Sequence, residues 1–207
     1  MYKTIQIQKE KKNMKRNIES VSMYLNIFLF LILANSLLSR FAVVNFTSSP
    51  ATGVSNMYIA VAFMIVFALW YGLGGALAAY LGCIVGAGIL ADMPTSLNII
   101  WSLADLWQVL IPLVAFTYFK VNLRLKTRRD VAYFLVFAVF LNNIIGASWG
   151  TYMLMINGII PYEELFLTFE RWFTGNVIAT ILIVPFLLRY LTPYIQQTES
   201  YVENYWK

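Results

Sequence analysis

Lys120-Val121-Asn122-Leu123-Arg124-Leu125-Lys126-Thr127-Arg128-Arg129-Asp130 places five positive charges within eleven residues. An apolar run lies on either side of it, from about Leu97 to Phe119 and from Val131 to Met155. A bilayer helix needs about 20 mostly apolar residues, and both runs reach that length. A basic loop between two such runs marks the cytoplasmic side of a membrane. Working outward gives four more runs, at about Met23–Val44, Met57–Tyr71, Gly75–Ala91 and Leu165–Leu191. Thirteen of the fifteen Lys and Arg precede the first run, lie in the central loop, or sit at or beyond the inner end of the last. The connections holding Asp92, Glu163 and Glu164 contain almost none.

Six crossings that begin inside also end inside, and they put the Lys120–Asp130 loop inside as well. The expected fold is therefore all-α: a polytopic six-transmembrane-helix bundle with both termini cytoplasmic. Residues 1–22 form a basic cytoplasmic arm, 23–191 the membrane domain and 192–207 a short tail. The turn Tyr71-Gly72-Leu73-Gly74 separates the second run from the third. The composition agrees, with 60% hydrophobic and 12% charged residues, since a soluble domain carries about 25% charged residues. The net charge of +5 reads as a topology signal facing anionic lipid, not as a nucleic-acid footprint.

Much chemistry is excluded. The chain has no His and one Cys, Cys83, in an apolar run, so an internal disulfide is impossible. Neither a phosphate-binding loop, a metal-ligand cluster nor a nucleophile–base set is legible. No enzyme, metal or cofactor is expected. Asn45-Phe46-Thr47 matches a glycosylation sequon, a pattern common by chance.

Polar residues inside a membrane are costly and mark function by default. Asp105 and Gln108 share one face of the fourth run, since residues three apart on a helix are neighbours. Asn142, Asn143, Ser148 and Trp149 lie on the fifth, and Glu170, Arg171, Trp172 and Asn176 on the sixth. All fall in the outer half of the bundle or near mid-depth. One reading is a pocket open to the outside, with Asp105, Gln108, Asn142, Asn143 and Asn176 as ligand contacts and Trp107, Trp149 and Trp172 as walls. The other is interhelical bonding. That reading is favoured for Asn142, Asn143 and Ser148, whereas Asp105 with Gln108 favours the pocket. Asp105 could pair with Arg171, and Glu170 and Arg171 also suit an ordinary rim. Gly75, Ala79, Gly82 and Gly86 form a stripe without side chains, and Gly146 and Gly150 repeat the device; such stripes let helices pack closely.

Trp172-Phe173-Thr174-Gly175-Asn176, then Ala179, then Pro185-Phe186-Leu187-Leu188, resembles the last-helix signature of the membrane-associated sensor (MASE) domain, first type. Asn176 stands where that family has an acidic residue, and Ala179 where it has Gly. Trp70–Gly86, with Gly74, Gly82 and Gly86, resembles its Gly-rich helix. Ser102–Gln108 is similar to its polar helix. The likeness covers about residues 50–192. It implies a bacterial or archaeal plasma-membrane input domain, usually followed by a kinase, cyclase or phosphodiesterase. Sixteen residues follow the last run here, so the output is expected on another polypeptide.

Trp70-Tyr71-Gly72-Leu73-Gly74-Gly75-Ala76 also resembles the substrate-binding subunits of energy-coupling-factor vitamin transporters, which are free-standing six-helix proteins of similar length. Their Ala-xxx-Ala coupling motif is absent, because Ala34 is followed four residues later by Leu38. The expected function is a membrane module that binds a small molecule from the outer face and signals to a partner protein. A transporter's substrate-binding component is the alternative, and a structural subunit of a membrane complex the third.

Overall fold

The computed structural model describes residues 2–44 and 57–202, and side chains over 21–43 and 57–202. The sequon at Asn45 lies outside the described residues. The described residues are mostly helical, with one two-residue ladder and short connections. Helix α1 covers Tyr2–Phe41, 40 residues without a break, or about 60 Å at 1.5 Å per residue. The basic arm and the first apolar run are thus one rod. Strands β1 (Val43–Val44) and β2 (Met57–Tyr58) pair antiparallel, Val43 opposite Tyr58. Helix α2 (Ala60–Cys83) continues through a π-helical turn at Ile84–Gly88 and a 3-10 turn at Ile89–Ala91. Helices α3 (Thr95–Trp101) and α4 (Leu103–Tyr118) follow, then α5 (Arg128–Tyr133), a π-helical stretch at Phe134–Leu141 and α6 (Asn142–Ile156). Helix α7 (Leu165–Tyr190) and the short α8 (Thr192–Ile195) end the helical part.

Among the described residues, five helical stretches are long and apolar enough to cross a membrane: Val21–Phe41, Ala60–Ala91, Thr95–Tyr118, Arg128–Ile156 and Tyr162–Tyr190. The second and third apolar runs lie together in the second of these. It is not straight. Gly72 has φ 62° and ψ −137°, a conformation open essentially to glycine. A Cβ on Gly75 would collide with the carbonyl of Phe67, eight residues earlier. In a straight helix those positions are about 12 Å apart. Tyr58 and Cys83, at opposite ends of the stretch, both stand beside Asp105. The stretch therefore folds back at Gly72 into two arms. The first, residues 60–71, rises about 18 Å, less than the ~30 Å hydrocarbon thickness.

This hairpin is the hub of the bundle, packing on α1, α4 and α7. Met64, Ile65, Val109, Leu113, Val139, Val184 and Leu188 form the core around it. Lipid chains are as apolar as these side chains, so close packing and hydrogen bonds hold such a bundle together. The small residues provide the closeness. A Cβ on Gly82 would meet Asn35, one on Gly86 the Ser36 carbonyl, one on Gly146 the Gln108 side chain and one on Gly150 the Trp172 ring. Ala79 is fully buried on the same arm as Gly82.

The Lys120–Asp130 loop is tightly built. Thr127 and Asp130 form a reciprocal capping box at the start of α5. The other Asp130 oxygen accepts the Asn122 amide at 3.1 Å. Arg129 donates to the Phe119 carbonyl at 3.1 Å and lies over the Tyr133 ring. The tail binds back to the hairpin bend. The Trp70 indole donates to Thr192 Oγ1 at 2.9 Å, and the Val202 amide donates to the Trp70 carbonyl.

Candidate functional site

Five of the side chains singled out in the sequence are nearly inaccessible: Asp105 is 2% exposed, Asn176 1%, and Gln108, Asn142 and Asn143 0%. The helices set their heights. The Trp101 and Trp172 rings meet, with centroids 5.5 Å apart and planes tilted by 54°. Asn176 lies four residues beyond Trp172, one turn along the same face of α7, and Asp105 lies four beyond Trp101, across the break at Ser102 between α3 and α4. Thr180 adds a further turn on α7. The backbones of α4 and α7 make little direct contact; side chains bridge the space between them.

Asp105 sits at the centre of one polar group. The Tyr58 hydroxyl bridges Asp105 Oδ2 at 3.1 Å and Ser39 Oγ at 2.8 Å. Cys83 and Ser102 lie alongside. Ser102 Oγ donates to Asn98 Oδ1 at 3.0 Å, and Asn98 Nδ2 donates to the Ile84 carbonyl at 3.0 Å. That carbonyl belongs to the π-helical turn, a distortion that recurs beside functional sites. Cys83 and Tyr58 share hydrogen bonds with the Asp105 carboxyl.

Gln108 anchors a second group. Its Nε2 donates to Asn143 Oδ1 at 2.6 Å, and its backbone carbonyl accepts Asn142 Nδ2 at 3.2 Å. Asn143 Nδ2 donates to the Val139 carbonyl one turn earlier on its own helical stretch at 2.8 Å, so both ends of Asn143 are satisfied within the protein. Other atoms here are not so satisfied. Gln108 Oε1, Asn142 Oδ1, both amide atoms of Asn176, Thr180 Oγ1 and the indole nitrogens of Trp101 and Trp172 are buried without a hydrogen-bond partner among the described residues.

The remaining predicted residues, apart from Trp172, are more exposed. Trp107 and Trp149 pair edge-on with centroids 6.3 Å apart. Both line an apolar groove of about 870 Å³ on the outside of the bundle, with Ile144, Ile145, Tyr152 and Phe166. Trp149 also packs against the cluster that holds Trp101 and Trp172, and its indole donates to the Ile100 carbonyl at 2.8 Å. Glu170 is exposed, and Arg171 is half-buried. Of the three expected Trp walls, Trp149 and Trp172 thus meet in one cluster, with Trp101 beside Trp172.

Sequence reasoning missed Asn35, Ser39, Tyr58, Asn98, Ser102, Cys83 and Thr180, and named Trp101 only as a neighbour of Asp105 and Gln108. A helical spacing signal was present for several. Asn35 and Ser39 are four apart, as are Asn98 and Ser102, Trp101 and Asp105, and Asn176 and Thr180. Tyr58 carried no such signal, because it reaches Asp105 from the β2 turn.

Together the five apolar helical stretches and the enclosed polar interior mark an α-helical membrane protein. Comparison of the chain with protein-family models, with curated proteins and with solved structures found no match.

Proposed function

We propose that this chain is a non-enzymatic plasma-membrane module of six helical segments, α1, the two arms of the hairpin, α3–α4, α5–α6 and α7. Both termini face the cytoplasm. A small polar ligand enters from the outer side, and its binding is passed to a partner protein, as in a MASE-type sensory input domain. The reversal at Gly72 supports six segments. The placing of Lys and Arg supports the orientation.

The observation that carries the ligand is the set of buried polar atoms without partners. A structural amide has its atoms satisfied within the protein, as Asn143 does through Gln108 and the Val139 carbonyl. An unpaired polar atom in a medium without water costs several kcal/mol. Both amide atoms of Asn176 are in that position at 1% exposure, and a hydrogen-bonding ligand between α4 and α7 would satisfy them. The test is to hold the protein in nanodiscs, equilibrate it with a cell metabolite extract and identify retained compounds by mass spectrometry. A compound retained by the wild type and lost from Asn176→Ala supports the pocket. Identical retention by both, or none by either, discards it in favour of a structural subunit.

A transporter's substrate-binding component is the second reading, favoured by one surface. A cleft of about 330 Å³ between the inner half of α1, Tyr71, Gly74 and Val202 adjoins the exposed residues Tyr24, Leu25 and Leu29. A membrane coupling subunit would fit there. Pull-down from native membranes in mild detergent separates the readings. Paired ATPases with a second membrane subunit indicate transport, and a kinase or nucleotide cyclase indicates sensing.

A further inference from the structure

We infer that the Lys120–Asp130 loop is a docking surface for the phosphate headgroups of anionic membrane lipids, with Lys120, Arg124, Lys126 and Arg128 as the contacts. This goes beyond the ligand reading above and does not depend on it.

The first argument is closure. The two ends of the loop are tied together. Arg129 donates to the Phe119 carbonyl at 3.1 Å, and the Asn122 amide donates to Asp130 Oδ1 at 3.1 Å. Asp130 Oδ2 accepts from the Thr127 amide at 3.0 Å and from its hydroxyl at 2.8 Å. Within the loop, Asn122 Oδ1 accepts the Arg124 amide at 2.9 Å, and the Leu125 amide donates to the Asn122 carbonyl at 2.8 Å. The four cations therefore ride on one closed piece of backbone.

The second argument is the sorting of charge. Val121 is buried, Leu123 and Leu125 are half-buried, and all three pack against the core. Lys120, Arg124, Lys126 and Arg128 are exposed. The apolar residues hold the loop to the end of the bundle while the cations face away from it. Asp130, the one carboxylate in the loop, is buried, and Asn122 and Thr127 occupy its two oxygens. It is thus withdrawn from the cationic surface. Arg129 is also engaged, on the Phe119 carbonyl and over the Tyr133 ring.

The third argument is height, and it selects lipid over a soluble acidic partner. Tyr118 and Arg128 end the crossing stretches on either side. Because Leu123 and Leu125 are held on the core, the connection lies back on the bundle end. Tyr118 is 77% exposed, and Phe119 stacks on Tyr133 with centroids 4.5 Å apart. Aromatic rings gather at the headgroup level of a membrane. Cations at that height stand among lipid phosphates, and each Lys or Arg near an anionic surface strengthens the attraction about fivefold.

The test uses the full chain in nanodiscs with equal amounts of phosphatidylglycerol and phosphatidylcholine. Extraction in mild detergent, followed by mass spectrometry, counts the lipids that stay with the protein. The expected result is an excess of phosphatidylglycerol of at least about fivefold, falling at high salt. Arg124→Gln, Lys126→Gln and Arg128→Gln together should bring the ratio toward parity, with residues 1–22 unchanged. Should the triple variant fail to fold, Arg124→Gln and Lys126→Gln singly carry the test, each lowering the excess severalfold. An unchanged excess in the variants would place the lipid contact elsewhere and overturn the inference, as would equal retention of the two lipids by the wild type. Displacement of phosphatidylglycerol by inorganic phosphate at matched ionic strength would make this a soluble-anion site. Loop-dependent capture of polyglutamate in pure phosphatidylcholine nanodiscs, without a lipid preference in the mixed ones, would make it a face for an acidic protein. Both outcomes overturn the inference. None of them bears on Asn176, whose pocket stands or falls by the metabolite experiment.

Discussion

Trp101, the last residue of α3, and Trp172 on α7 meet with ring centroids 5.5 Å apart. Four residues further along the chain from each lies a buried polar residue, Asp105 at the start of α4 and Asn176 on α7. Gly150 allows the contact, since a Cβ there would run into the Trp172 ring. One small residue on α6 thus positions an aromatic residue on α7 against α3. The arrangement ties three separate stretches of chain to one site, and its consequences can be measured.

Asn176→Leu is expected to stabilise the ligand-free protein while abolishing ligand retention. Both amide atoms are buried without partners among the described residues, and an orphaned polar group costs about 1–3 kcal/mol. Leucine is similar in size and has nothing to satisfy. Thermal unfolding in detergent measures the effect, and the expected result is a higher melting temperature than wild type. A lower one would mean that the carboxamide is engaged in holding the bundle together.

Gly86→Ala and Gly74→Ala are expected to separate sharply, although both lie in the hairpin's second arm. A Cβ on Gly86 would overlap the Ser36 carbonyl, which is backbone and cannot swing aside. Overpacking of that kind costs about 1–3 kcal/mol. Nothing lies within 4 Å of a Cβ on Gly74, so Gly74→Ala should be neutral or slightly stabilising. Equal unfolding curves for the two variants would mean that α1 and the second arm do not pack as closely as Ser36 and Gly86 imply.

How much of this was legible beforehand depends on the kind of signal. The apolar runs were plain in the sequence, because a helix in lipid must be apolar along its whole length. The burial of Asp105, Gln108, Asn142, Asn143 and Asn176 was also readable, since polar groups in such runs face inward. Side-chain direction is harder to read. Trp107 lies two residues from Asp105, on another helix face, and lines the outer groove, whereas Trp149 also packs on the cluster that holds Trp101 and Trp172. Tyr58 was invisible because its role depends on the hairpin returning Cys83 to the same place. The count of spans was ambiguous for a similar reason. A Gly-rich turn inside a continuous apolar stretch does not reveal whether the chain kinks or reverses.

Gly72→Ala tests the reversal directly. Its φ of 62° with ψ of −137° suits no residue with a Cβ, and forcing one there costs about 1–3 kcal/mol. Ala60–Cys83 would gain by straightening, which would carry Tyr58 away from Asp105. The expected outcome is loss of folded protein in mild detergent. It should be accompanied by new protease sensitivity near the Trp70–Val202 contact, where the tail binds the bend. A variant as stable as wild type would argue that the two arms are not held against each other by this turn.

Orientation can be checked against a quiet background, because the single native thiol, Cys83, is buried. Lys126→Cys and Asn157→Cys place new thiols in connections at opposite ends of the α5–α6 stretch, both at exposed positions. A membrane-impermeant maleimide applied to intact cells is expected to label Asn157→Cys and spare Lys126→Cys. Opening the membrane should then expose Lys126→Cys as well. The reverse pattern would invert the protein and put the Trp101–Trp172 end on the cytoplasmic side. A ligand would then come from the cell interior, and the clustering of Lys and Arg at the other end would need a cause other than the positive-inside bias.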